Sequence, residues 1–275
     1  MIDHRRWRIS AGAATFVLTV SGFTFVRAGE PYQPKSGQRG KDVVWVGNPE
    51  AMVQRMLDVA GVTAQDFVVD LGSGDGRNVI AAAKRGARAH GIEYNGDLVE
   101  LSKSLAAKER VSDRATFERG DVFEADFSKA TVVMLFLTPE MNIRLRPKLL
   151  ALKPGARVVA NTFAIGDWNP DQSFNATDNC EKFCSGRMWV VPAKVAGLWK
   201  LPQGDLVIKQ SYQSFSGTLT SGAATVPISG RLRGDQVAFT AGGTQYTGKV
   251  DGVVIEGFAR KSGVDSKFRG TLVQR

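Results

Sequence analysis

The sequence predicts an α/β domain built on a parallel sheet, followed by a small antiparallel β module, and three observations carry that expectation. An apolar run, Val68-Val69-Asp70-Leu71, ends in the glycine-rich turn Gly72-Ser73-Gly74-Asp75-Gly76, and a second short run ends in an acid at Gly91-Ile92-Glu93. This is the first β-α-β of a nucleotide-binding domain. Strand-like and helical stretches then alternate as far as residue 162, as they do where helices cover a parallel sheet on both faces. Beyond residue 211 a large apolar-x-Gly-x-apolar core recurs at Phe215, Ile228, Tyr246 and Phe268.

Taken in order, residues 29–47 are polar and rich in Gly, Pro and charge, which reads as a linker. Asn48-Pro49-Glu50 is a helix start, with Asn at the cap and Pro at the first helical position. Met52, Val53, Met56, Leu57 and Ala60 then share one face, suited to the core or to one wall of a ligand pocket. Strands are expected at residues 67–71, 89–93, 116–119, 131–137 and 157–162, and helices at 77–85, 97–108 and 143–152. The last helix is closed by Lys153-Pro154-Gly155. Ligands of such a sheet bind at the carboxyl ends of its strands. Two extended runs, 188–191 and 195–208, suit an antiparallel pair closing the sheet, which puts the main domain at 48–210. The remainder, 211–275, reads as an antiparallel meander. Turn signals at Gly234-Asp235, Gly242-Gly243, Asp251-Gly252 and Ser262-Gly263 separate its strands, and its glycines ease curvature. Capping the sheet or aiding assembly is the plain role for this module, ahead of a dedicated binding role.

Glycine spacing discriminates between ligands. The third glycine of a dinucleotide fingerprint falls three positions after the second, where this chain has Arg77. A pyrophosphate favours bare amides at a helix N-terminus, so Asp75 inside the turn and Asp70 before it disfavour one. A cationic, phosphate-free ligand fits better. The Gly-x-Gly-x-Gly pattern resembles motif I of the class I S-adenosylmethionine (SAM) methyltransferases, in which the turn faces the amino-acid part of the cofactor and the next acid holds its ribose. Glu93 lies 17 residues beyond Gly76, where a carboxylate accepts from both ribose hydroxyls. Asp121, in Gly120-Asp121-Val122-Phe123, is placed either to accept from an adenine amino group or to stand as a solvated loop acid.

Methyl transfer from a sulfonium is an in-line displacement that needs positioning and exclusion of water more than acid–base help. Phe136-Leu137-Thr138-Pro139-Glu140-Met141-Asn142 offers an aromatic, a proline-rigidified backbone and two polar groups beside the transferred methyl. Phe163 and Gly166-Asp167-Trp168 are expected to close the acceptor channel, where aromatic faces suit a methylammonium.

Composition and the N-terminus set outer bounds. Arg5, Arg6 and Arg8 precede an apolar stretch, 9–26, and Val26-Arg27-Ala28 fits small-x-small cleavage. The expectation is an export signal at 1–28 and a periplasmic or secreted protein, with membrane anchoring through 9–26 as the alternative. Arg27, Lys35, Arg39 and Lys41 balance the upstream arginines and blunt the positive-inside argument, and Arg5-Arg6 hints weakly at twin-arginine export. Formal charge is +9, of which residues 1–28 carry +3. The remaining lysines and arginines alternate with acids and form no block, which argues against a nucleic-acid partner. His4 and His90 are the only histidines, so a histidine-rich metal site is excluded, and His90 reads as a strand residue. No metal is expected. Cys180 and Cys184 sit four apart in a polar loop: a local disulfide if the protein is exported, two thiols otherwise.

The segment from Val44 to Trp168 resembles one branch of the class I enzymes, carried by Gly91-Ile92-Glu93, the Leu137-Thr138-Pro139-Glu140-Met141-Asn142 run and Gly166-Asp167-Trp168. That branch is the lysine methyltransferases acting on the mitochondrial ADP/ATP carrier and the c-subunit of ATP synthase, with their bacterial relatives. The resemblance implies a Rossmann-like, seven-stranded class I sheet and SAM as cofactor. It makes Asp70, Gly72, Gly74, Gly76, Glu93 and Asp121 cofactor ligands, and Pro139, Glu140 and Asn142, with Trp168 beside them, active-site candidates. The acceptor it implies is a protein lysine or a small amine, and the chain is expected to be a monomer. The signal-like N-terminus, the cysteine loop and the β tail depart from that family, and SAM is made in the cytosol. The alternative is a non-catalytic envelope binding or assembly protein that keeps the fold.

Overall fold

The computed structural model describes Met1 and residues 32–275. The expected signal or anchor at 1–28 lies outside the described residues but for Met1. Among the described residues no helix is long and apolar enough to cross a membrane.

Helix α1 (Glu50–Val59) buries Met52, Val53, Met56 and Leu57. The parallel strands follow: β1 (Phe67–Leu71), β2 (Arg88–Glu93), β3 (Ala115–Arg119), β4 (Val132–Leu135) and β5 (Arg157–Asn161). Helices α2 (Arg77–Lys84), α3 (Gly96–Lys108) and α4 (Pro139–Leu149) connect them. β1 pairs with both β2 and β4, so the order turns back at this point, which opens a crevice above the carboxyl ends of the strands. The burial of β1 and β4 is nearly continuous, as it must be for strands covered on both faces. A core on one side of the sheet gathers α1, α2 and Val99 and Ala106 of α3, and a second on the other side holds Leu145, Leu149, Trp168 and Trp189.

Of the two runs expected to close the sheet, 188–191 does so as the end of a strand that starts at Ser185, and 195–208 does not. The closing pair consists of β6 (Gln172–Asn175) and β7 (Ser185–Val190), giving a seven-stranded sheet of order β3-β2-β1-β4-β5-β7-β6. β6 is four residues long with a single buried side chain, too short to leave a periodic signal. The run at 195–208 instead forms β8 (Gly197–Leu201) and the start of β9 (Gly204–Ser211), whose burial alternates as in a wall with one wet face. The sheet therefore ends at Val190, and the second unit begins with β8 rather than at residue 211.

That second unit is a closed eight-stranded barrel, the expected meander with its ends joined. β9 is followed by β10 (Ser214–Ser221), β11 (Ala224–Arg233), β12 (Gln236–Ala241), β13 (Thr244–Asp251), β14 (Val254–Lys261) and β15 (Val264–Gln274), and β15 pairs back onto β8. Closure leaves no unpaired edge. Alternate residues fill the interior, where the rings of Phe239 and Tyr246 stack at 4.5 Å and Phe268 meets Tyr246 edge-on at 5.2 Å. Gly217, Gly230, Gly248 and Gly257 sit where a Cβ would strike backbone atoms of the adjacent strand.

Candidate active site

The turn after β1 is pinned to β2, because the amides of Gly72 and Ser73 both donate to the Ile92 carbonyl, at 2.8 and 3.1 Å. Gly74 has φ +56°, and a Cβ on it would lie 2.6 Å from the Trp45 indole nitrogen. Gly76 caps α2 in the left-handed region at φ +79°, packed so closely on Phe117 and Ser102 that only glycine fits. Asp75 pairs with the Arg77 guanidinium at 2.5 Å, and Arg77 also donates to the Asn48 carbonyl, so this acid acts at the turn with much of its charge neutralised.

Glu93 ends β2 half-buried. One oxygen accepts the Gly74 amide at 2.9 Å and the other the Asn95 amide at 2.9 Å, leaving lone pairs on both. Asp121, just beyond β3, accepts from the Phe123 amide at 2.9 Å and from the Lys41 ammonium at 2.5 Å. The Lys41 hydrogen bond, with the Phe123 amide, holds its carboxyl below the usual range. Lys41 belongs to the segment expected to be a linker. Residues 38–48 instead line a cleft whose other walls include residues 72–75, 93–95, 120–122, Phe136, Leu137 and Met141.

Asp70 lies beneath that lining, fully buried, with one donor, the Asn78 amide at 3.1 Å. Burial pushes its carboxyl up to about 7, with Glu93 and Asp75 adding repulsion. Asn78 in turn accepts from Asn48 at 3.2 Å, and Asn48 accepts from Asn161 at 2.7 Å. Asn48 is thus not a side-chain cap of α1, which starts one residue later behind Pro49. Its amide joins a buried polar chain running from β1 to β5. Asn48, Asn78 and Asn161 were missed as site residues, although Asn78 on a buried helix face and Asn161 ending an apolar strand are polar groups in apolar positions.

The sequence expected a helix from residue 143. Thr138 caps α4 through Met141, and Pro139 takes the first helical position, so Pro139, Glu140 and Asn142 lie in its first turn. Pro139 and Glu140 are exposed at that end. Asn142 is buried; its Nδ2 donates to the Ala164 carbonyl at 3.3 Å and its Oδ1 has no partner. Trp168 does not face the cleft. It is 0% exposed, packs on Trp189 and Tyr212, and donates to Gln213 at 3.0 Å at the junction with the barrel. Among the expected ligands, Gly72, Gly74, Glu93 and Asp121 come together on the cleft wall, while Asp70 and Gly76 stand behind it.

The aromatic side of the cleft is Phe136. Phe163 stacks beside it at 6.4 Å, and Phe183 meets it edge-on at 5.1 Å. Phe183 belongs to the cysteine loop, which carries the Cys180–Cys184 disulfide with a Cα separation of 5.8 Å, reached in a loop and not in a helix. His90 sits on β2 and shares a hydrogen bond with Thr116 at 2.9 Å, a strand residue as expected. Among the described residues no cluster of His, Cys, Asp or Glu fits a metal ion.

The cleft suits a cationic nucleoside. Gly72 and Gly74 leave the turn without Cβ atoms, Asp42, Asp75, Glu93 and Asp121 bring four carboxylates to the lining, and Phe136, Leu137 and Met141 add an apolar, aromatic part.

Residues 70–172 match the model of the ANTKMT methyltransferase domain. The chain is 43% identical over 139 residues to a protein-lysine N-methyltransferase of Saccharolobus islandicus (strain REY15A), covering 50% of this chain and 86% of that relative. It is 44% identical over 105 residues to the lysine N-methyltransferase of the ATP synthase c-subunit in Homo sapiens, covering 38% of this chain and 45% of that enzyme, so the match spans about half of the human protein. Among solved structures, it is similar to an RNA methyltransferase from Salinibacter ruber in complex with S-adenosyl-L-homocysteine. That likeness has 42% identity and a TM-score of 0.51, over 55% of this chain and 96% of that one.

Proposed function

Starting from the family of SAM-dependent protein-lysine N-methyltransferases, to which this chain belongs, we propose that it transfers a methyl group to the ε-amine of a lysine in a protein. The observation that carries the reading is the make-up of the cleft, in which Glu93, Asp121 and the bare glycines of the turn meet Phe136, Leu137 and Met141. In this reading Glu93, with lone pairs left on both oxygens, holds the ribose hydroxyls and Asp121 the adenine amino group. When bound, SAM supplies a methyl group activated by its sulfonium sulfur.

The chain's own task is to present a neutral amine in line and to keep water out. Phe136 and Phe163 shield the incoming amine from water at the point of transfer. Carboxylates near this end are poor bases. Hydrogen bonds from its own amide and Thr138 hold Glu140 below the usual range, and those from Tyr212 and Arg146 do so for Asp167.

The acceptor class is tested by incubating the full chain with methyl-labelled SAM and, separately, host membrane protein, soluble protein and total RNA. Methyl-lysine in the acid hydrolysate of a protein fraction is expected, and label confined to RNA would overturn the reading. For the compartment we propose export, supported by the signal-like residues 1–28 and the Cys180–Cys184 disulfide, a bond at home outside the reducing cytosol.

A further inference from the structure

Resting on the lysine reading above, we propose that Phe183 is a specificity-determining residue. Held by the Cys180–Cys184 disulfide, it completes with Phe136 and Phe163 an aromatic entrance that receives the alkylammonium of the acceptor. The three rings come from three places in the chain: the end of β4, the end of β5 and the loop between β6 and β7. Phe163 lies 19° from parallel to Phe136, and Phe183 turns 65° across it, so together they form a corner that offers more than one ring face. Phe136 is itself part of the cleft wall.

A core-packing role does not account for Phe183, which remains 37% exposed. Backbone is also strained to place these rings. Thr162, directly before Phe163, has φ +58°, and Phe183 has φ +57°, conformations that side chains with a Cβ seldom adopt. Thr162 is locked there by its amide on the Ser185 carbonyl at 2.7 Å, its hydroxyl on Asn161 at 2.9 Å, and Arg187 on its own carbonyl. Ser185 adjoins Cys184, so the strained residue and the disulfide loop are tied to one another. Asp178 and Glu181 against the single Lys182 leave the loop net acidic, the sign that steers a cation toward it. Ring faces attract organic cations within about 6 Å.

The test uses the full oxidised chain saturated with S-adenosylhomocysteine, whose own binding is first measured by calorimetry. Choline and its neutral isostere 3,3-dimethylbutan-1-ol are then titrated by NMR. Choline is expected to bind about fivefold tighter than the alcohol. Phe183→Ala should abolish that preference, Phe183→Tyr should keep it, and dithiothreitol should reproduce the alanine result. Equal preference in wild type and Phe183→Ala, or none in wild type, with S-adenosylhomocysteine still bound, overturns the proposal and leaves the methyltransferase site intact. Absence of S-adenosylhomocysteine binding in wild type would instead strike the cofactor site. Thermal melting of each variant guards against loss of fold.

Discussion

Replacing Glu93 separates a ligand-binding carboxylate from a structural one. Its two oxygens each accept a backbone amide at 2.9 Å, from Gly74 in the glycine turn and from Asn95, which caps α3. In the ligand-free protein, Glu93→Ala removes both bonds from a half-buried group, a loss of about 1–2 kcal/mol in stability. If the same carboxylate holds the ribose, the complex loses a further 1.5–3 kcal/mol, roughly tenfold to 150-fold in Kd. Glu93→Gln turns an NH2 group toward one of the two amides and lies between the extremes. Calorimetric titration with S-adenosylhomocysteine measures the affinity, and thermal melting of the unliganded variants measures the stability. The reasoning requires affinity to fall in the order wild type, Gln, Ala. An unchanged Kd in a folded Glu93→Ala protein would refute the ribose assignment, and binding of NADH in place of S-adenosylhomocysteine would refute the ligand class.

Other perturbations follow from the same contacts. Asp70, pushed up to about 7, holds its proton in the native state after the unfolded chain has released it, so ionisation costs stability as pH rises from about 4 to 7. Asp70→Asn should therefore gain stability relative to wild type across that window, by up to about 4 kcal/mol, and urea unfolding at pH 5 and pH 8 reads the difference. Burial raises the Asp66 carboxyl, but the Thr131 hydroxyl, the Thr63 amide and Arg157 outweigh it and hold the group below the usual range. Its contribution is present above the unfolded value and lost as pH falls. Arg157→Met should cost about 1.5–3 kcal/mol at pH 7 and much less at pH 3, by the same unfolding measurement. Lys41→Ala frees the Asp121 carboxylate and should tighten S-adenosylhomocysteine binding by up to about fivefold, an effect that fades in high salt. Alkylation of native material without reductant should leave Cys180 and Cys184 unmodified on a chain beginning at Gly29. Two alkylated thiols on a chain still carrying residues 1–28 would point to a cytosol-facing anchored enzyme.

The fold's first half was legible because its signals are local. A glycine turn between an apolar strand and a helix reports its own geometry, and Gly72, Gly74 and Glu93 meet because three consecutive elements force them to. What failed depends on distant partners. The segment 29–47 reads as a linker by composition, yet Lys41 reaches Asp121 80 residues away and Trp45 covers Gly74. Trp168 reads as a channel residue because it follows β5; it points inward because Trp189 of β7 and Gln213 of the β9–β10 turn supply its packing and its acceptor. Thr138 and Pro139 carry a helix-start signal of their own, a capping hydroxyl followed by proline at the first helical position, and it places the start of α4 ahead of residue 143.

The barrel does more than close the chain. Gln213, buried between β9 and β10, accepts from the Trp168 indole and donates to the Asn169 carbonyl at 2.7 Å, while Tyr212 donates to Asp167 and Arg231 to Asp171. All four acceptors or donors lie between residues 167 and 171, directly after Phe163 and its strained neighbour. The sheet core already holds Ile165 and Trp168, and the barrel adds these four hydrogen bonds to the same segment. The acceptor side of the cleft is therefore braced from two sides, by the disulfide loop through Ser185 and by the barrel through Gln213. Loosening either is expected to act on acceptor binding before it acts on the glycine turn and Glu93, whose hydrogen bonds run to Ile92, Asn95 and Ser102 and not to the barrel or the disulfide loop.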